Sequence, residues 1–198
     1  MKVTVIIPYK EDRGWLKDAI ASVPKDVQLL LSKGTGNWPQ NFNKVFSQAT
    51  GDYIKYLHED DMLTANCIED SLKAFELHGY DFIHGNAIEI QKDGYYKRYI
   101  PFIKQPTFDN LLVTNIIHSA TTMYRRDVFE KIGTFNEDNK YHSFEEFEFN
   151  LRLLKAGLRI GYCNHDLAYY RRHPAQCIRT VDKQLRKKNR QELINMYL

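Results

Sequence analysis

The chain has 198 residues, 43% hydrophobic and 27% charged, a normal soluble globular balance that fits one domain with a sizeable core. Its net charge of +3 is too small to imply a nucleic-acid partner. Three cysteines without a CxxC pair (Cys67, Cys163 and Cys177) argue against a disulfide framework or a zinc site and for buried, inert thiols in a reducing compartment. No apolar run approaches the ~18 residues of a membrane span and the first residues are too short for a signal peptide, so the sequence reads as cytoplasmic.

Residues 3–8, Val-Thr-Val-Ile-Ile-Pro, are a near-continuous β-branched run, the pattern of a strand buried on both faces of a mainly parallel sheet. Pro8 stops it. After a polar loop, Trp15, Leu16, Ala19, Ile20 and Val23 line one helical face. A second buried strand is expected over 27–31, a glycine-rich and proline-bounded loop over 33–39, and a helix over 40–49 with Phe42 and Val45 inward and Gly51 as its stop. The strand expected over 53–57 runs straight into His58-Glu59-Asp60-Asp61, and Met62 and Leu63 lead toward a helix that Thr64 caps and Gly79 closes. Residues 81–90 and 94–100 read as two strands joined at Lys92-Asp93-Gly94. Helices over 108–113, 127–132 and 143–156 follow, with strands over 120–124, 159–163 and 167–170 and a turn over 133–137. The last helix, over 181–198, is basic: from Arg171 onward eight Lys or Arg stand against Asp182 and Glu192.

Strands alternating with helices predict an α/β domain, in which ligands sit at the carboxyl ends of the strands. Pro8-Tyr9, Ser32-Lys33 and residues 58–61 all lie at such ends. Neither GxGxxG nor GxxxxGK[ST] is present, so a bound phosphate needs a metal instead. Adjacent carboxylates, Asp60 and Asp61, can hold one hard divalent cation and leave its other positions open to phosphate oxygens. The plainer reading of the same residues is a solvated turn that caps the next helix.

Five stretches together carry a resemblance. They are Val5-Ile6-Ile7-Pro8-Tyr9; Ala49 to Ile54 running into Leu57-His58-Glu59-Asp60-Asp61; Ile132-Gly133-Thr134-Phe135-Asn136-Glu137; Glu145-Glu146 ahead of Arg152; and Tyr170-Arg171-Arg172-His173. In that order, over residues 3–176, they resemble family 2 glycosyltransferases of the GT-A fold. The resemblance implies a single domain with a mainly parallel central sheet flanked by helices: a Rossmann-like nucleotide-sugar-binding half over 1–100, an acceptor-side catalytic half with a hairpin over 101–176, and a basic C-terminal helix over 177–198. It implies inverting transfer of a hexose, glucose in the commonest case, from a nucleoside-diphosphate sugar, UDP-linked, to a hydroxyl of a glycan, lipid-linked or protein-linked acceptor. Mn²⁺ or Mg²⁺ is the implied cofactor.

Carried over position by position, Pro8, Tyr9 and Glu11 match the nucleoside-binding loop, and Lys33 stands near where the family often has an Asp facing the base. Asn43 and Arg171 are assigned to the nucleotide-sugar side. His58 occupies the place of the family's frequent first Asp, Asp60 matches the middle carboxylate near ribose and metal, and Asp61 matches the metal ligand. The family's acceptor-side pair is usually Glu-Asp with the second member as general base. Here it is Glu145-Glu146, which makes Glu146, one methylene longer, the base. His173 is assigned to the metal shell or the diphosphate and His118 to the donor sugar or acceptor.

Elementary chemistry agrees with the division into two acidic clusters, because inverting displacement needs a carboxylate to take the acceptor proton and a cation to neutralise the leaving diphosphate. The structural alternatives are ordinary ones. Acids in the first turn of a helix favour its dipole, Glu148 and Arg152 can form an i,i+4 pair, and a lone histidine is more often capped than ligating. The last helix is either a solvated face or a docking face for an anionic membrane or a further domain. Two other functions share the pattern: a nucleotidyltransferase or metal phosphatase, and a nucleotide-sugar-binding module that has lost its chemistry.

Overall fold

The computed structural model describes residues 1–138, 140 and 142–198, and the side chain of Cys177 lies outside that description. The first β-branched run forms β1 (Val3–Tyr9), followed by α1 (Leu16–Ala21), β2 (Gln28–Lys33), α2 (Trp38–Phe46) and β3 (Tyr53–Tyr56). β1 lies between β2 and β3 and parallel to both, which buries it on both faces as its composition demands. Then come β4 (Met62–Leu63), α3 (Cys67–His78), β5 (Phe82–Ile90), β6 (Tyr96–Tyr99) and α4 (Phe108–Val113). A 3-10 turn (Ser119–Thr121) leads into β7 (Met123–Arg125), α5 (Arg126–Ile132), α6 (Glu145–Lys155), β8 (Ile160–Arg171), α7 (Cys177–Thr180) and α8 (Lys183–Asn195). The strands form one sheet in the order β2-β1-β3-β7-β5-β8-β4, with β6 paired to β5. Its longest ladders are parallel, whereas β7, β4 and β6 join antiparallel.

Five local expectations are corrected, by hydrogen-bonding or capping choices and, in β8, by a close backbone approach. Met62 and Leu63 do not lead into the helix; they form β4 against Tyr169 and Ala168, because Thr64 Oγ1 donates to Asp166 O at 2.6 Å and holds the segment on β8. The helix therefore starts at Cys67, and Thr64 does not cap it. Residues 119–121 coil instead of extending, since Thr121 Oγ1 and Thr122 Oγ1 donate back to His118 O (2.8 Å) and Ser119 O (2.9 Å). Residues 160–171 make one strand with a register shift opposite Gly85 and Asn86. Gly85 is required there, as a Cβ would stand 2.7 Å from Leu167 Cδ1 and 2.8 Å from Cys163 O. α2 begins at Trp38, not at 40, because Asn37 and Gln40 form a capping box around Pro39.

On one side of the sheet an aromatic core joins α2, α5 and α6. Phe135 stands at its centre, 4.7 Å from the Trp38 ring, 4.9 Å from Phe42 and 4.5 Å from Phe149. Burying a ring of this kind is worth about 1.5–3 kcal/mol, so this residue fixes α6 against α2. The other side packs α1 and α3 on the sheet through Leu16, Ala19, Phe75 and Leu167. α8 is only partly a solvated basic face. Leu193 and Ile194 are buried, Arg186 lies over Phe144, and Arg190 lies over Phe147 while donating to Leu112 O and Val113 O at 3.0 Å each.

Candidate active site

The carboxyl ends of β1 and β3 and the first turn of α6 open into one cleft of about 650 Å³. Its floor is the acidic run after β3. Asp61 is buried; its Oδ1 accepts the Arg171 backbone N–H at 3.0 Å, and its Oδ2 has no hydrogen-bond partner. Burial, then the neighbouring charge of Asp60, pushes the Asp61 carboxyl well above the usual carboxylate range, against the opposing pull of His58, the Arg171 N–H and Lys55. Asp60 Oδ2 pairs with His173 Nε2 at 2.7 Å, and the His173 ring packs on Trp15 with centroids 4.4 Å apart. Arg13 closes the outer edge. Its Nε and Nη2 donate to Glu59, its Nη2 lies 3.9 Å from Asp60 Oδ2, and its Nη1 donates to Ala175 O at 3.2 Å.

Beneath the cleft, Lys55 is fully buried on β3 and donates to Ala120 O and Thr122 O. Burial pushes its ammonium down to about 8.

Opposite the acidic run stands α6. Ser143, just before it, has φ +74°, a left-handed conformation that a non-glycine residue keeps only where its surroundings enforce it. Arg186 Nε donates to its Oγ at 3.2 Å. Glu145 is buried, with Oε1 3.4 Å from His142 Nδ1, while Glu146 reaches into the cleft and its Oε1 meets His58 Nε2 at 3.2 Å. Burial alone would lower the His58 pKa, but the Glu146 hydrogen bond and the charges of Glu146, Asp60 and Asp61 outweigh it and push the group up to about 10. The ring is held edge-on by Trp38 and Tyr56, each with its centroid 5.4 Å away. Glu148, in the same turn, instead serves the fold: it accepts from Arg152 Nε and Nη2 and from Tyr197 Oη.

Among the described residues no three His, Cys, Asp or Glu side chains already converge as a cation site. The donor chemistry nevertheless fits a hard divalent ion, since Asp61 presents a buried, unpartnered carboxylate oxygen beside a second carboxylate.

Residues 15–133, more than half of the chain, match the family model described as Glycosyl transferase family 2. The chain belongs to that family.

The fold of this family 2 glycosyltransferase agrees. It superposes on S. aureus TarS 1–349 in complex with UDP-GlcNAc with a TM-score of 0.76 at 16% identity, covering 100% of this chain and 66% of that one. TarS 1–349 in complex with UDP gives 0.66 at 17% identity, covering 100% and 65%. A further S. aureus TarS structure gives 0.66 at 18% identity, covering 88% and 37%. The glycosyltransferase thus spans at most 66% of these chains. No curated protein matches its sequence.

Of the residues singled out from the sequence, Pro8, Tyr9, Glu11, His58, Asp60, Asp61, Glu145 and Glu146 of the glycosyltransferase line the cleft together. His173 stands behind Asp60. Four others do not line it. Lys33 is exposed at the end of β2, and its carbonyl faces Lys44 Nζ at 3.5 Å. Asn43 ties α2 to the following turn, with Nδ2 donating to Phe135 O and Glu137 Oε1 at 2.8 Å each. His118 is enclosed between the rings of Tyr99 (5.2 Å) and Tyr170 (4.7 Å), and burial lowers its pKa to about 4. Arg171 faces the back of the acidic run: its Nε donates to Asp60 O at 3.1 Å and its guanidinium lies over Trp15.

Among the cleft residues of the glycosyltransferase that the sequence did not single out are Arg13, Trp38 and Asn41. Trp38 had a usable signal in Asn37 and Gln40, three residues apart as a helix start requires. Asn41 clamps two loops by donating to Tyr9 O (3.2 Å) and Gly34 O (3.4 Å), and a Cβ at residue 34 would stand 1.9 Å from its Oδ1. No local pattern marks Arg13 or Asn41.

Proposed function

We infer that this glycosyltransferase moves a sugar from a UDP-linked donor to an acceptor hydroxyl by inverting displacement, with a divalent cation at Asp60 and Asp61 and Glu146 as general base. The observation that carries the reading is the opposition, across one cleft, of the buried unpartnered Asp61 Oδ2 and the Glu146 carboxylate. TarS, crystallised with UDP and with UDP-GlcNAc, supports the UDP-linked donor and widens the sugar from a hexose to include N-acetylhexosamines.

Asp60 and Asp61 would hold Mn²⁺ or Mg²⁺, which when bound would neutralise the charge that grows on the leaving diphosphate. Tyr9, Pro8 and Glu11 at the end of β1 receive the nucleoside, while His173 orients Asp60 by its 2.7 Å contact. Glu146 accepts the proton of the acceptor hydroxyl as that oxygen attacks the anomeric carbon from the face opposite the leaving group. The acceptor is a glycan or a lipid-linked or protein-linked hydroxyl. Lys183 and Lys187, exposed on α8, supply positive charge toward an anionic membrane carrying such an acceptor. Salt-sensitive sedimentation with anionic but not neutral vesicles tests that contact.

The donor reading is tested by a thermal-shift panel of UDP-, GDP-, dTDP- and CDP-sugars with and without Mn²⁺. UDP-sugars with Mn²⁺ are expected to stabilise the protein by about 2.7 kcal/mol at 100 times their Kd. A shift confined to another base, or independent of the cation, overturns it.

A further inference from the structure

We propose that His58 is the positioning residue for Glu146, its Nε2–H holding one carboxylate oxygen so that the other faces the acceptor. The inference rests on the reading of Glu146 as base. Among the described residues the hydrogen bond to His58, at 3.2 Å, is the one that the Glu146 carboxylate makes. It links residues 88 apart in sequence, one from the end of β3 and one from the first turn of α6.

The packing fixes both partners. Trp38 and Tyr56 meet the His58 ring edge-on at 89° and 73°, which sets the direction of Nε2. Trp38 is itself held at the start of α2 by the Asn37–Gln40 capping box and by Phe135. Phe135 also packs on Phe149 of α6, so one ring sets both the histidine's support and the helix that carries the base. A carboxylate left free in a cleft rotates about its side-chain torsions; one held at Oε1 presents Oε2 in one direction, and that preorganisation is what a proton acceptor needs.

The chemistry at the two positions is matched. His58 and Glu146 are the two places in the acidic motifs where this chain differs from the pattern it resembles, a donor replacing an acid and a longer acid replacing a shorter one. An aspartate at 58 would set carboxylate against carboxylate; the histidine supplies a donor, and the extra methylene of Glu146 gives it reach.

The test follows UDP release from UDP-glucose and UDP-GlcNAc in Mn²⁺, with water as acceptor, alongside UDP affinity by calorimetry. His58→Ala is expected to lower kcat roughly 10- to 100-fold, the range that corresponds to loss of one hydrogen bond to a charged group, and to leave UDP affinity unchanged. His58→Gln, whose amide N–H reaches the same oxygen, restores turnover, and the His58→Ala/Glu146→Gln double variant is no slower than Glu146→Gln alone. If Glu146→Gln is impaired but His58→Ala turns over like wild type, or loses UDP affinity in parallel with kcat, the positioning role is overturned and the base survives. Full turnover by Glu146→Gln would sink the base itself and the inference with it. Urea midpoints of the two single variants and the double variant test the contact without substrate. Non-additive shifts support it, and strictly additive ones overturn it.

Discussion

The backbone N–H of Arg171 donates to Asp61 Oδ1 at 3.0 Å, joining the last residue of β8 to the end of an acidic run 110 residues earlier. One oxygen of Asp61 is therefore committed to the fold. The other, buried and unpartnered, is the oxygen available to a cation.

Asp61→Asn keeps an acceptor for Arg171 and removes the buried charge. It is expected to melt no lower than wild type in EDTA, yet to lose the stabilisation of about 2.7 kcal/mol that wild type gains from Mn²⁺ with UDP at 100 times Kd. Thermal shift reads both quantities. Retention of the full Mn²⁺-dependent gain by Asp61→Asn would mean that the cation binds elsewhere.

Glu146→Gln is expected to lose about 10²-fold or more in turnover while still binding donor, in keeping with general-base contributions of about 10²–10⁴. Glu145 also borders the cleft but is almost fully buried, with Oε1 turned toward His142 and not toward His58, so Glu145→Gln should retain much more activity. Steady-state rates of the two variants at saturating donor decide between them; the reverse ranking would move the base by one residue.

His84 predicts acid sensitivity. It is buried on β5, its Nε2 donates to Lys104 O at 2.7 Å, and burial lowers its pKa to about 4 from an unfolded value of 6.5. The unfolded chain takes the proton first, so this contribution is complete above pH 6.5, falls as pH drops toward 4, and is flat below; it is on the order of 3 kcal/mol. Melting temperature against pH should show that slope. His84→Gln, which keeps the donor, should flatten it, with His118 contributing the remainder over the same window.

The basic residues of α8 should separate into two groups. Arg190→Ala removes two hydrogen bonds that satisfy the carbonyls at the end of α4 and should cost about 1–2 kcal/mol. Lys187→Ala, on the exposed face, should stay within about 0.5 kcal/mol of wild type. Urea denaturation of the two variants is sufficient, and equal effects would contradict the packing of α8.

Local chemistry made some of this legible in advance. β1, the β5–β6 hairpin and α4 lie where their patterns put them, because β-branching, Lys92-Asp93-Gly94 and Thr107 with Asn110 act over a few residues. The convergence of Pro8-Tyr9 with residues 58–61 followed from where a strand composition gives way to acids. Long-range pairing was not legible. A two-residue β4 has no pattern of its own, and Asn164-His165-Asp166 reads as a break in sequence although it continues β8 opposite Gly85. The partners of the acidic run, Arg13 and His173, come from opposite ends of the chain, and His58 meets Glu146 through a tertiary arrangement in which Phe135 bridges α2 and α6. Asn43 and Lys33 lie near the cleft in sequence order but do not line it: Asn43 is held by Phe135 O and Glu137 Oε1, and Lys33 is exposed at the end of β2.

The anchoring of Asp60 and Asp61 by His173 and Arg171 has a consequence for biosynthesis. A ribosome delivers the acidic run more than a hundred residues before it delivers its supports. Through that interval the nascent chain carries the carboxylates without the backbone donor and imidazole that organise them, and β5 without the parallel partner that runs its full length. Co-translational folding can therefore build the β2-β1-β3 unit early, but the acidic run gains its backbone donor and imidazole only when the β8 segment leaves the exit tunnel and docks.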